Sequence, residues 1–141
     1  MTWLLDTNVL SELKKPRPEA RVVAFISSLP LGQAYISSVT LAEIRFGIDQ
    51  VSDPAQRADL NHWLTNDIRP MFSQRILQVT EDILLKWRTL VEQGRKVGHT
   101  YSQPEILIAA TAIQYGLTVV TRDRRDYDKA GVSVINPWNT I

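Results

Sequence analysis

The chain has 141 residues, 44% of them apolar and 22% charged, with a formal net charge of +1 and no cysteine. That length and composition suit one globular α/β-sized domain, residues 1–141, with a core of its own. They exclude disulfides, thiolate metal sites and cysteine nucleophiles, and they supply no strong basic field, so any nucleic-acid contact must rest on local charge.

The opening MTWLLDTNVL lacks a basic leader region, and Asp6 interrupts its apolar run, so no signal peptide is expected. No stretch approaches the roughly 18 uninterrupted apolar residues of a membrane span. A cytoplasmic protein with no membrane partner is the expectation. In chain order, TWLL (2–5) has strand length, and Asp6 or Asn8 then caps a helix. EARVVAFISSL (19–29) places Val22, Val23, Phe25, Ile26 and Leu29 on one broad helical face. AYIS (34–37) reads as a strand, and Thr40 with Glu43 has the S/T-x-x-E form of a capping box. Asp53-Pro54 opens another helix, which Ile68 to Phe72 close around Pro70.

RILQV (75–79) is a third strand, followed by the helix EDILLKWRTLVEQGRK (81–96) with basic residues at its end. In SQPEILIAATA, Ser102 and Glu105 form a second capping box, and Pro104 suits the first turn. LTVVT (117–121) is a strand, Asp123 stands before the helical RDYDKAG, and VSVI (132–135) is the last strand. Strands alternating with helices predict an α/β fold with a parallel sheet covered on both faces.

Four carboxylates, Asp6, Glu43, Glu105 and Asp123, stand near strand ends or helix heads. Taken singly, each reads as a helix cap. In an open parallel sheet, however, ligands bind at the carboxyl edge, where the helices also begin. Carboxylates gathered there repel one another unless a cation or protons intervene. Oxygen ligands without His or Cys select a hard ion such as Mg²⁺ or Mn²⁺, and such ions assist phosphodiester hydrolysis.

The stretches LLDTNVLSEL, ISSVTLAEIRFGI, PEILIAATAIQYGLTVVTRDRRDY and VINPW, in this order and nearly from end to end, resemble PIN-domain ribonucleases. The particular resemblance is to VapC-type (FitB-like) toxins of bacterial type II toxin–antitoxin systems. It implies a PIN-like fold, a central parallel sheet flanked by helices, with an acidic cleft at the carboxyl edge. It also implies a metal-dependent endoribonuclease that hydrolyses RNA phosphodiester bonds with Mg²⁺ or Mn²⁺. Asp6, Glu43, Glu105 and Asp123 would then be both catalytic residues and metal ligands. Thr7, Asn8 and Thr121 would orient carboxylates or water, and Asp126 would be a further acidic position behind the ligands. The implied partners are RNA, a cognate antitoxin, promoter DNA through that antitoxin only, and a second copy of the chain. One position departs from the family pattern, which has Asp where this chain has Glu105.

His62 and His99 have no second His at ligand spacing, so an imidazole zinc site is not expected. His62 reads as packing or exposed; His99, just before Tyr101 and the acidic helix, is open to either a cleft position or packing. Arg122, Arg124 and Arg125 surround Asp123 and read as a solvated basic face with a phosphate contact possible. Trp3, Trp63, Trp87 and Trp138 read as core or interface residues. Two rival functions stay open: a phosphatase with Asp6 as nucleophile, although Asn8 occupies the place where a D-x-D-x-T motif needs its second Asp, and a PIN-like interaction module without turnover.

Overall fold

A computed structural model describes residues 1–139. Its elements are β1 (Trp3–Leu5), α1 (Thr7–Lys14), α2 (Ala20–Ser28), a 3₁₀ turn (Leu31–Gln33), β2 (Ala34–Ser37) and α3 (Ser38–Asp49). Then come α4 (Pro54–Trp63), a π-helical turn (Leu64–Ile68), α5 (Arg69–Met71), β3 (Ile76–Leu77) and α6 (Glu81–Lys96). The chain closes through α7 (Gln103–Tyr115), β4 (Thr118–Val120), α8 (Arg125–Ala130) and β5 (Val134–Ile135). The five strands form one parallel sheet in the order β3-β2-β1-β4-β5.

Alternation along each strand divides the core. Leu5, Ile36 and Val120 enter one buried cluster with Val9, Leu10 and Phe72. Leu4 and Val119 enter the other with Ile83, Ile106 and Tyr127. Both faces of the sheet are therefore covered, as a parallel sheet requires. The edge strands β3 and β5, each with a partner on one side only, are two residues long.

Strand order reverses at β1. The chain runs outward through β2 and β3, then returns to place β4 on the other side of β1. The crevice beyond the carboxyl ends of β1 and β4 is thus a topological switch point, the usual ligand position in such sheets. Asp6 leaves β1 there, and its backbone N–H donates to Val120 O at 2.9 Å. Thr121 leaves β4 beside it.

The helix opened by Asp53 is not uniform. Pro70 has no N–H and would crowd the carbonyl four residues back, so the preceding turn widens, and Arg69 N–H reaches Leu64 O, five residues earlier. Among the described residues, no helix is long and apolar enough to cross a membrane.

Candidate active site

Asp6 is the N-cap of α1, and its carboxylate is almost wholly enclosed, 4% exposed. Three donors hold it. Thr7 N–H reaches Oδ1 at 2.7 Å, while the Thr121 hydroxyl at 2.7 Å and the Tyr127 hydroxyl at 3.0 Å both donate to Oδ2. Burial pushes Asp6 above its ordinary pKa; the bonds from Thr121, Thr7 and Tyr127 pull it back in part, and the charge of Asp123 pushes it up again. Burial and the neighbouring Asp6 also raise Tyr127, so its phenol stays protonated and donates.

Thr121 is the hub of this arrangement. Its single hydroxyl proton goes to Asp6, and its oxygen accepts from Asn8 Nδ2 at 3.1 Å and from Asp123 N–H at 3.1 Å. Asn8 Oδ1 in turn accepts from Arg122 N–H at 3.2 Å. Thus α1 is pinned to the loop after β4, and that loop carries Asp123 past Asp6. The segment does not use Asp123 as a cap: the N-cap position of α8 is Arg124, without a side-chain capping bond, and Asp123 is exposed.

Glu105 lies in the first turn of α7, but the capping box read from sequence does not form. The Ser102 side chain makes no capping bond, and Ser102 N–H donates to Asp126 Oδ2 at 2.8 Å. Asp126, from α8, takes the role Glu105 would play in a box and leaves Glu105 free of it. The Glu105 carboxyl lies against that of Asp126. Burial, then that contact and the charges of Asp126, Asp6 and Asp123, push Glu105 up to about 7. Burial acts upward on Asp126 too, but donors from Ser102, His99 and Glu105 outweigh it and hold that carboxyl below its ordinary range.

Glu43 stands apart. The helix after β2 starts at Ser38, capped by Ser37 Oγ accepting from Val39 N–H at 3.0 Å, so the Thr40–Glu43 box is also not formed. A nearer cap pre-empts it, and the Thr40 hydroxyl is buried without a partner. Glu43 falls in the second turn of α3 and lines a groove of about 350 Å³ with Thr7, Lys14, Ile48, Leu60 and Trp63. The Thr7 hydroxyl, on that side, is a buried oxygen with no partner.

Glu105 therefore stands in the fields of Asp126, Asp6 and Asp123, Asp6 stands in that of Asp123, and among the described residues no bond joins Glu43 to any of them. Among the described residues, no three of His, Cys, Asp and Glu stand close enough to chelate an ion as their side chains lie. Fit to a hard divalent ion rests on the donor set rather than on a preformed cage: the carboxyls of Asp6 and Glu105, raised in pKa by burial first and by neighbouring carboxylate charges after it, and the unpaired Thr7 oxygen.

His99 does not face the cleft. Its Nε2 bonds Asp126 Oδ1 at 2.9 Å, and its ring meets Tyr101 edge-on at 4.5 Å and 78°. Arg124 pairs with Asp128, and the Arg122 guanidinium lies 5.3 Å from the ring centre of the buried Trp138. Tyr127 was invisible to sequence reasoning as a site residue; its only signal is its place four positions after Asp123, on the helix behind the loop.

A family model described as the PIN domain matches residues 3–132. The chain belongs to the PIN-domain family. Among its PIN relatives, Toxin FitB of Neisseria gonorrhoeae is 38% identical over 136 residues, which covers 96% of this chain and 98% of that protein. VapC ribonuclease Y4jK of Sinorhizobium fredii is 34% identical over 135 residues, covering 96% of each. A solved structure of FitAB bound to the IR36 DNA fragment superposes with a TM-score of 0.93 at 36% identity, covering 99% of this chain and 98% of that one.

Proposed function

We propose that this PIN-domain protein is the endoribonuclease toxin of a toxin–antitoxin pair, hydrolysing RNA with Mg²⁺ or Mn²⁺ held by Asp6, Glu43, Glu105 and Asp123. The observation that carries the reading is Asp6: a buried carboxylate at the switch point of the sheet, pushed up in pKa, with Asp123 and Glu105 beside it. Relatives named as a toxin and as a VapC ribonuclease, alike over nearly the full chain, support the same activity.

When bound, such an ion polarises a phosphoryl oxygen and lowers the pKa of a bound water. The chain's own residues prepare its seat. Thr7 N–H, Thr121 and Tyr127 fix the plane of Asp6, so its carboxylate needs no reorganisation on binding. Asn8 holds the loop that presents Asp123. Asp126 lies behind Glu105 and keeps the start of α7 in place. Asp6 itself is a poor nucleophile, since three donors and near-complete burial shield it, which counts against a covalent phosphatase.

The partners proposed are RNA as substrate, a cognate antitoxin, and a second copy of the chain; the site of action is the cytoplasm. Likeness to the DNA-bound FitAB structure supports promoter binding by the complex rather than by the lone chain, whose net charge is only +1. Expressed alone, the chain is expected to arrest growth and fragment RNA. Co-expression of the cognate antitoxin should relieve both, and Asp6→Asn should be harmless. Unimpaired growth with abundant folded protein would count against the toxin reading. The pairing of Glu105 with Asp126 favours one rival, a PIN module without turnover, and cleavage by purified protein excludes it.

A further inference from the structure

Neither the motifs nor the family resemblance gives His99 a role. We infer that His99 is a positioning residue of the acidic site: through Asp126 it fixes where the Glu105 carboxyl can lie. The inference rests on the metal-site reading above.

The geometry is a short chain of contacts. Asp126 has both oxygens engaged, Oδ1 by His99 Nε2 at 2.9 Å and Oδ2 by Ser102 N–H at 2.8 Å. Two donors three residues apart in the loop between α6 and α7 set both the position and the plane of that carboxylate, and Glu105 rests against it. The His99 and Asp126 side chains are only 12% and 11% exposed, so water competes little for the bond between them. His99 is itself clamped. Its N–H donates to Gly94 O at 2.8 Å at the end of α6, and Tyr101 meets its ring edge-on. The packing is close enough that a Cβ at Gly94 would lie 2.7 Å from the Tyr101 ring and 2.9 Å from His99 O.

Glu105 needs such a backstop more than an Asp would. Its longer side chain has one more rotor, so more orientations must be excluded before the carboxyl meets an ion in one place. A fixed Asp126 restricts those orientations. With His99 removed, Oδ1 of Asp126 loses its donor, the carboxylate turns about its remaining bond, and Glu105 loses the surface that limits it.

The test measures Mn²⁺ binding by calorimetric titration, together with melting temperature and RNA cleavage, in His99→Ala and His99→Gln. Second-layer partners of metal ligands commonly matter by 10–100-fold; one layer further out, His99→Ala should weaken Mn²⁺ binding and lower kcat by about 3–10-fold, with KM for RNA unchanged. His99→Gln, which keeps an N–H donor, should recover most of the loss. In a Glu105→Asp background, where the shorter side chain no longer reaches Asp126, His99→Ala should change Mn²⁺ affinity less than about twofold. A lower melting temperature with unchanged Mn²⁺ affinity, or an equal loss in both backgrounds, would make His99 a structural residue only. Asp6→Asn measured alongside separates the two claims. If it lowers Mn²⁺ affinity and His99→Ala does not, the positioning role alone falls; if neither does, the metal-site reading falls and takes this inference with it.

Discussion

Replacing Thr121 by valine keeps the shape of the side chain and deletes the one hydroxyl that ties Asp6, Asn8 and Asp123 together. Thr121 is fully buried, and its hydroxyl donates to a buried carboxylate oxygen at 2.7 Å. A bond to a charged group is worth about 1.5–3 kcal/mol, and the carboxylate has no water to replace it. The other two partners lose less, because Asn8 Nδ2 and Asp123 N–H are near enough to the surface to hydrate. A net loss of about 2–3 kcal/mol corresponds to a fall of about 6–12 °C in melting temperature for a chain of this size. Thr111→Val is the matched control. Thr111 is equally buried, but its hydroxyl donates to Leu107 O at 2.8 Å within its own helix, where the carbonyl keeps its backbone bond. That change should move the melting temperature by less than about 3 °C. With Thr121→Val, Asp6 also loses a bond that held its pKa down, so Mn²⁺ affinity should fall about tenfold near pH 7. Calorimetric melting and Mn²⁺ titration of both variants decide the matter. Equal effects from the two valines, or a Thr121→Val protein with unchanged stability and metal affinity, would refute the reasoning.

Metal-free protein should lose stability between about pH 4.5 and 7, the span from the unfolded to the folded value of Glu105. Glu105, raised from 4.5 to about 7 in the fold, contributes stability that is complete below its unfolded value and lost as pH rises through its folded one. Asp126 acts in the opposite sense, but below its ordinary 3.8 and so outside that window. Glu105→Gln should flatten the slope of melting temperature against pH; a slope unchanged in the variant would assign it to another group. Gly94→Ala should destabilise by about 1–3 kcal/mol, because the new Cβ meets His99 O, which is backbone and cannot rotate away. Thermal melting reads that loss directly, and a neutral result would mean the loop after α6 yields freely.

The sheet was legible because its strands are apolar and separated by helices with clear periodicity; Leu4 and Leu5, or Val119 and Val120, show both faces filled. Strand order was not, since nothing in LTVVT says it pairs with β1 rather than with β3. The acidic positions could be named from spacing, yet their partners could not. Ser37, not Thr40, caps α3, because a cap is chosen by where the strand ends rather than by a four-residue pattern. Ser102 and Glu105 match a box in sequence, but Asp126 arrives from 24 residues away and takes the bond. Tyr127 was hidden for the same reason, and His99 stayed open between cleft and packing: both touch the site through contacts across the fold.

The central claim is that these carboxylates form a metal-dependent ribonuclease site. End-labelled RNA incubated with purified protein tests it most directly, in Mg²⁺ or Mn²⁺, after exhaustive EDTA treatment, and with the metal restored, beside Asp6→Asn under the same conditions. Cleavage should appear with metal, vanish with chelation, return on re-addition, and be absent in a folded Asp6→Asn protein. Cleavage that survives chelation, or that persists undiminished in Asp6→Asn, would contradict the account.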